Sequence, residues 1–390
     1  MKILILNHNQ ERFGTYWRCL NIGRSLVSRG YRVTLICASG EKFDLLMRKK
    51  EIEKDFRLIT LPRICYHQYF TGQMLLRFPF YLGFVLLGNY DLLYTFAVAQ
   101  PQMALPAIAG KLLARKKLII DWDDPWGQGF AEEHGGLVER VLTFFERWTL
   151  KYADRITYVS EWIGKEIKRL GFSKIATKIP NGANIAQINV LGKKASRQEL
   201  GLDLDKKYLL SVGNTYTDSL GTMLEAFRLV SAKNKKAFLL MVGIVEVPKK
   251  FRKIWQKVKQ KIILTGSRPF VEIPKYLAAA DCLLLPMDDS NIEKARFPMR
   301  FGDYLCAQRP IVSNAVGEVK YYLEKYQAGL TSQPDSAPEL ALNIEKVLKD
   351  KKLAAKVSKN ARRLAEGDLS WQKVIDDLEK VLFGLKKKAS

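Results

Sequence analysis

The sequence predicts an α/β protein with two domains in series, each a parallel sheet wound with helices. Three observations carry this. Apolar runs of strand length alternate with stretches of helical apolar spacing, the pattern of strands buried on both faces between covering helices. The alternation breaks after Lys178-Ile179-Pro180-Asn181-Gly182 and restarts at Tyr208. The chain has 390 residues, and at about 150 residues per domain that suggests two.

In the first half, KILILN at 2–7 reads as a buried strand followed by a turn containing Gly14. Leu20, Ile22, Leu26 and Val27 then have helical spacing up to Gly30. Strands are expected at 32–37, 91–96, 117–121 and 155–159, with helices around 101–115, 137–151 and 161–170. Met74–Leu87 is a 14-residue apolar run interrupted by Arg77 and Pro79. A spanning helix needs about 20 apolar residues, so this run reads as a buried core helix ahead of an interfacial one.

The polar stretch 183–200 is the expected linker between an N-terminal domain, 1–182, and a C-terminal domain, 201–368. The second half repeats the alternation. Strands are expected at 208–213, 238–243, 261–266, 282–286 and 310–314, with helices at 220–232, 273–280 and 300–307. The last segment, 369–390, contains helical spacing through Trp371, Val374, Ile375 and Leu378. Ligands of parallel α/β sheets bind beyond the carboxyl ends of strands, so the expected site is a cleft between the two sets of strand ends.

Composition narrows the function. With 47% hydrophobic and 27% charged residues, the chain is neither disordered nor disulfide-stapled. Five cysteines without a C-x-x-C pair and three scattered histidines indicate no zinc ribbon and no metal cluster. The opening MKILILNHN lacks the features of a secretory signal, which predicts a cytoplasmic protein. The 64 basic residues against 40 acidic ones give a net charge of +24, which favours anionic partners without choosing among them. The most basic run, 248–261, reads first as a solvated helix face and second as a patch for nucleic acid or anionic lipid.

Three stretches carry candidate chemistry. Gly14 and Thr15 open the first helix, where backbone N–H groups can meet a phosphate, although on this motif alone a plain connecting turn is the better reading. In NIEKARFPMRFGDYLCAQRPIV at 291–312, Arg296, Arg300 and Asp303 surround a helix start marked by Pro298. Arg300 and Asp303 are one turn apart, so a guanidinium for a diphosphate and a carboxylate for sugar hydroxyls can serve one nucleotide. The same spacing also suits a surface ion pair. Finally, DWDDPWG at 121–127 follows an apolar strand. Asp121, Asp123 or Asp124 can accept sugar hydroxyls or act as general base, and Trp122 and Trp126 can stack on a sugar ring or fill core. Asp124 and Asp121 are the expected catalytic residues.

The run FPMRFGDYLCAQRPIVSNAVGEV at 297–319 resembles the donor-binding segment of GT-B glycosyltransferases, especially the retaining family 4 enzymes. Further likenesses follow in order: GTY at 14–16, YADRITYVSEWIGKEIKRLG at 152–171, IPNGANI at 179–185, GSRPFVEIPKYLAAADCLLLP at 266–286 and the Ser370-Trp371 helix. Together they cover most of the chain. The resemblance implies the GT-B architecture, two Rossmann-like domains with parallel sheets facing a central cleft, and a final helix crossing back to the first domain. It implies a nucleoside diphosphate sugar donor, a hydroxyl acceptor, retention of configuration, and neither metal nor cofactor. By likeness, Asp303 receives the ribose hydroxyls, with Arg300 beside it. Gly14 and Thr15 meet the phosphate, Gly213 and Asn214 end the first strand of the second domain, and Ser267, Arg268 and Pro269 pack on the base.

The sequence departs from the pattern at Ala295 and Arg296, where the family carries an acid, and at Phe96-Ala97-Val98, where it carries a histidine. Two diphosphate-clamping cations of the family are missing from their usual place, and Arg296, Arg268 or Arg300 is expected to substitute. The expected role is envelope polysaccharide or glycolipid synthesis, with a carbohydrate or lipid-linked acceptor and peripheral contact with an anionic membrane at its inner face. A catalytically silent scaffold that binds a nucleotide is the alternative. A nucleic-acid partner is not expected.

Overall fold

The computed structural model describes residues 1–41, 43–63, 73–96, 99–127, 136–214 and 219–386. Cys65, His67, Ala97, Val98, His134, Asp218 and most of the closing basic tail lie outside the described residues. The chain forms two compact units: Met1–Asn181 with Trp371–Ser390, and Gly182–Ser370. Both are Rossmann-like α/β units.

The first sheet contains β1 (Lys2–Gln10), β2 (Arg32–Ala38), β3 (Arg48–Glu53), β4 (Phe56–Leu61), β5 (Leu92–Phe96), β6 (Lys117–Trp122), β7 (Arg155–Tyr158) and β8 (Ala176–Lys178). Their order is β3-β4-β2-β1-β5-β6-β7-β8, parallel except for the antiparallel β3–β4 pair. Ile3, Leu4, Ile5 and Leu6 are all fully buried, because helices cover both faces of the sheet. This is why the strand reads as a continuous apolar run. β3 and β4 are absent from the sequence expectations. β3 reads RKKEIE and is mostly exposed, so it has no alternation to betray it. Only its pairing with β4 holds it extended, and its charges protect the sheet edge.

The 14-residue apolar run forms most of the helix Gln73–Leu87. Arg77, Tyr81 and Val85 are buried, the helix packs against Pro101–Leu112, and the Tyr81 hydroxyl donates to Asn7 O at 2.9 Å. It is a core helix. Among the described residues no helix is long and apolar enough to cross a membrane. The final helix, Trp371–Lys386, packs on Tyr16–Val27, and Arg29 bridges to Asp376 and Glu379 at 2.5 and 3.1 Å.

The second sheet contains β9 (Lys207–Val212), β10 (Ala237–Val242), β11 (Ile262–Gly266), β12 (Cys282–Leu285), β13 (Ile311–Ser313) and β14 (Leu330–Thr331). Its order is β11-β10-β9-β12-β13-β14, all parallel. Leu224, Phe227 and Val230 of the helix Ser219–Lys233 pack on Leu209, Leu239 and Leu284. Residues 183–200 belong to this unit and include the helix Lys193–Glu199. Arg197 of that helix is buried and donates to Asp281 at 2.6 Å and to Ala279 O at 2.9 Å. The basic run 248–261 contains the helix Arg252–Val258, which turns Ile254, Trp255 and Val258 to the core. Its cations are the solvated face.

Candidate active site

Of the residues expected to bind a donor, Gly213 and Asn214 follow β9, and Ser267, Arg268 and Pro269 follow β11, at the carboxyl ends of the second sheet. β9, β10 and β11 each end on, or are followed directly by, a glycine with positive φ: Gly213 at +106°, Gly243 at +132° and Gly266 at +69°. Gly213 N donates to Val242 O at 2.8 Å, and Gly243 N to Gly266 O at 2.9 Å. A Cβ on Gly243 would lie 2.5 Å from Gly213 O, so no larger residue fits there. Gly243→Ala is therefore expected to cost about 1–3 kcal/mol in backbone strain alone. A lowered urea midpoint with an unchanged slope would register the loss.

Arg300 sits over this rim. It belongs to the helix Met299–Cys306, which starts after Pro298 because proline pre-sets the entry backbone while lacking an N–H to cap. Arg300 Nη1 donates to Val212 O at 3.1 Å. Tyr304, one turn on, accepts from Val212 N at 2.8 Å and donates to Leu284 O at 3.2 Å. On the helix's other side, a Cβ on Gly302 would meet Gly182 O at 2.8 Å, so this turn rests directly on the backbone of the Asn-Gly signature. Asp303 accepts a hydrogen bond from the Asn184 side chain. Its carboxyl is pushed up to about 7 by the loss of water around it, against the lowering effect of that bond.

The other donor-side residues divide. Asn214 Oδ1 accepts from Ile244 N at 3.0 Å, tying the ends of β9 and β10. Ser267, Arg268 and Pro269 are exposed after β11, joined to the rim through the Gly243–Gly266 bond. Arg268 lies 4.0 Å from Glu272. Arg296 is occupied. Its Nε donates to Glu293 at 3.0 Å and its Nη2 closes a bidentate pair on the same carboxylate. Glu293 is buried, and burial raises its pKa against the opposing pull of Arg296 and Arg300. The sequence reading missed this acid because it stands ten residues before Asp303 and is brought back by the short helix Asn291–Ala295, capped by Ser290.

In the first unit, Gly14 and Thr15 enter the helix Tyr16–Val27. Thr15 Oγ1 donates to Asp123 Oδ2 at 2.6 Å. Asp121, expected to face substrate, instead points into the unit and is fully buried. It accepts from Arg18 Nε and Nη2 at 3.0 and 2.8 Å, from Tyr94 at 3.0 Å and from Thr157 at 2.6 Å. Those four bonds fill a carboxylate's acceptor sites. The pair is a structural anchor, for Arg18 also donates to Ile179 O, Pro180 O and Asn181 Oδ1. Asp124 is half-buried.

Asp123 is the unusual acid of the turn. It is buried, and among the described residues its Oδ1 has no hydrogen-bond partner. Desolvation first, then Asp124 and Asp121, raise its carboxyl well above the ordinary range. His8 is also buried, with no partner for either ring nitrogen among the described residues. It meets the Trp126 ring edge-on at 5.1 Å, and burial together with Arg77 lowers its pKa to about 3. His8 stands where β1 loses register with β2, between Leu6 and Gln10. No sequence periodicity marks such an irregular strand end. Among the described residues no group of three or more His, Cys, Asp or Glu is placed to hold a metal ion.

Residues 192–364 match the family described as Glycosyl transferases group 1, and residues 14–187 match Glycosyltransferase Family 4. No curated protein sequence matches the chain. Among solved structures, sucrose-phosphate synthase from Thermosynechococcus elongatus superposes with a TM-score of 0.75 at 17% identity, covering 100% of both chains. Anabaena HepE, solved with UDP-glucose, gives 0.71 at 17% identity, covering 99% of this chain and 100% of its own. WaaG, a glycosyltransferase involved in lipopolysaccharide biosynthesis, gives 0.70 at 16% identity, covering 97% and 99%. At these identities the likeness establishes the shared fold.

Proposed function

Since the chain is a GT-B-fold glycosyltransferase related to the group 1 and family 4 enzymes, we propose that it binds its sugar nucleotide on the Arg300–Asp303 turn and transfers the sugar to a hydroxyl acceptor with retention. The observation that carries the assignment is the pinning of that turn. Arg300 is fixed over the glycine rim by Val212 O, while Asp303 stands one turn away with a carboxyl able to accept two ribose hydroxyls. Arg300 neutralises the diphosphate, a charge that grows as it leaves. Ser267, Arg268 and Pro269 border the base.

In the transfer, the acceptor oxygen bonds to the anomeric carbon as the bond from that carbon to the phosphate oxygen breaks. The electron pair leaves with the diphosphate, which also takes the acceptor proton. No enzyme nucleophile is required. Asp124 and Asp123 are the acids of the first unit that can orient an acceptor, with Asp121 holding the turn behind them. The acceptor we assign is a lipid-linked or envelope saccharide at the cytoplasmic face of a membrane. The net charge of +24 supports that reading. HepE's complex with UDP-glucose makes a uridine diphosphate sugar the first donor to test, beside GDP-, ADP- and dTDP-sugars, with a rise in melting temperature as the readout.

The elevated carboxyl of Asp303 adds a pH signature. Below about 7 it is protonated and has lost an acceptor. Above that it is ionised and competent. Affinity for a nucleotide sugar, whose diphosphate does not titrate in this range, should rise about tenfold from pH 6 to pH 8. Asp303→Asn should give a flat profile, and a rise that survives in this variant would assign the titration elsewhere.

A further inference from the structure

Two features of the first unit stand outside the transfer chemistry. The loop after β2 presents Phe43, Leu45, Leu46 and Met47 to solvent, 64%, 66%, 64% and 39% exposed. The loop is built to do so. Between them Asp44 turns inward, buried, and accepts from Ser39 Oγ at 2.7 Å, Leu46 N at 3.2 Å and Arg48 Nη2 at 3.3 Å. Arg63 N closes the base of the loop on Asp44 O at 2.7 Å. Three exposed cations, Arg48, Lys49 and Lys50, follow at once on β3.

The second feature is the helix Gly136–Trp148, of which only Glu146 is buried. Leu137, Val141 and Phe144 form one stripe, 77%, 38% and 56% exposed. Phe144 stacks on Trp148 at 5.6 Å, and Trp148 meets Tyr152 at 5.2 Å. Beside this aromatic ladder, Arg140, Arg147 and Lys151 border an open groove of about 590 Å³. Glu146 anchors the helix by accepting from Trp126 N and Gly127 N at 2.8 and 3.2 Å, just past the end of β6. In chain order the loop follows β2 and the helix follows β6, while the groove's Lys151 and Phe172 lie just ahead of β7 and β8. β2 and β6 are separated by β1 and β5, about 14 Å at the usual strand spacing.

Each feature sets exposed apolar side chains beside three cations, in excess over Glu139 at the groove and Glu51 and Glu53 on β3, and aromatic residues suit the level where headgroup meets acyl chain. We propose that the Phe43–Met47 loop and the Leu137–Phe144 stripe dock the first unit on an anionic lipid bilayer. The apolar side chains enter the acyl boundary, while Arg48, Lys49, Lys50, Arg140, Arg147 and Lys151 take the headgroup phosphates. A second copy of the chain is a poor occupant, because it would bring the same cations against these cations, on a protein already at +24. The inference rests on the membrane-face reading above and names the surface responsible.

The test is cosedimentation of the full chain with phosphatidylcholine vesicles, with and without phosphatidylglycerol. The wild-type chain should bind only the anionic vesicles, less so as salt rises. Leu45→Asp/Leu46→Asp and Leu137→Asp/Phe144→Asp should each weaken binding by about tenfold or more, as should the exposed reversal Lys49→Glu/Lys50→Glu. All three should keep the wild-type melting shift with nucleoside diphosphate, which reports folding. Charge reversal at Lys249 and Lys250 in the second unit should leave vesicle binding intact. If the wild-type chain binds neither vesicle, the membrane reading and this surface both fall. If it binds anionic vesicles but the patch variants bind equally well, or the Lys249/Lys250 variant loses as much, only this surface falls. Equal binding to neutral vesicles, or a dimer in ultracentrifugation that the patch variants abolish, also overturns the proposal.

Discussion

Arg18→Met should destabilise the first unit by about 3–5 kcal/mol, the range for removing one partner of a buried ion pair. The Arg18 and Asp121 side chains are 2% and 0% exposed, so Asp121 would be left charged and without water. Three further acceptors, Ile179 O, Pro180 O and Asn181 Oδ1, would lose their donor in the same step. The paired change Arg18→Met/Asp121→Leu should recover part of the loss, because the stranded charge is gone, but not all, because those acceptors stay unpaired. Urea unfolding followed by a first-unit probe, such as Trp122 fluorescence, measures both. The same experiment separates anchor from catalyst. If Asp121→Asn unfolded at the wild-type midpoint while transfer collapsed, Asp121 would belong to the chemistry after all.

Asp303→Ala and Arg300→Ala are each expected to weaken sugar-nucleotide binding by roughly 10- to 150-fold, the equivalent of about 1.5–3 kcal/mol for a hydrogen bond to a charged group. The two losses should differ in kind. Asp303→Ala removes acceptors for the ribose, so it should penalise a nucleoside diphosphate more than inorganic pyrophosphate. Arg300→Ala removes the diphosphate cation and should weaken both. Arg300→Lys should restore little, since an ammonium cannot reproduce the planar fork that reaches a diphosphate through paired donors. Calorimetric titration of the four combinations decides it, and indistinguishable affinities across wild type and variants would remove this turn from the donor site. Arg296→Ala is a useful contrast. Because Arg296 is clamped to buried Glu293, its removal should lower stability more than nucleotide affinity.

What could be read directly from the residues was whatever short-range physics sets. Apolar runs such as Ile3–Leu6 and Leu209–Leu210 must be buried on both faces, so they announce parallel sheets. Arg300 and Asp303 share a helix face because three residues make nearly one turn. What the tertiary structure decided concerns groups distant in sequence. Asp121, Asp123 and Asp124 are chemically alike in the string DWDDPWG, and only Arg18, 103 positions away, turns the first into an anchor. The buried, half-partnered Asp123 is then the acid of interest. Glu293 and Arg296, by contrast, are only three residues apart and pair locally; what the fold adds there is the burial of Glu293, just as β3 is extended only because β4 lies beside it. A carboxylate's role depends on the water and partners it keeps or loses on burial. That environment is assembled by chain segments that no local pattern connects.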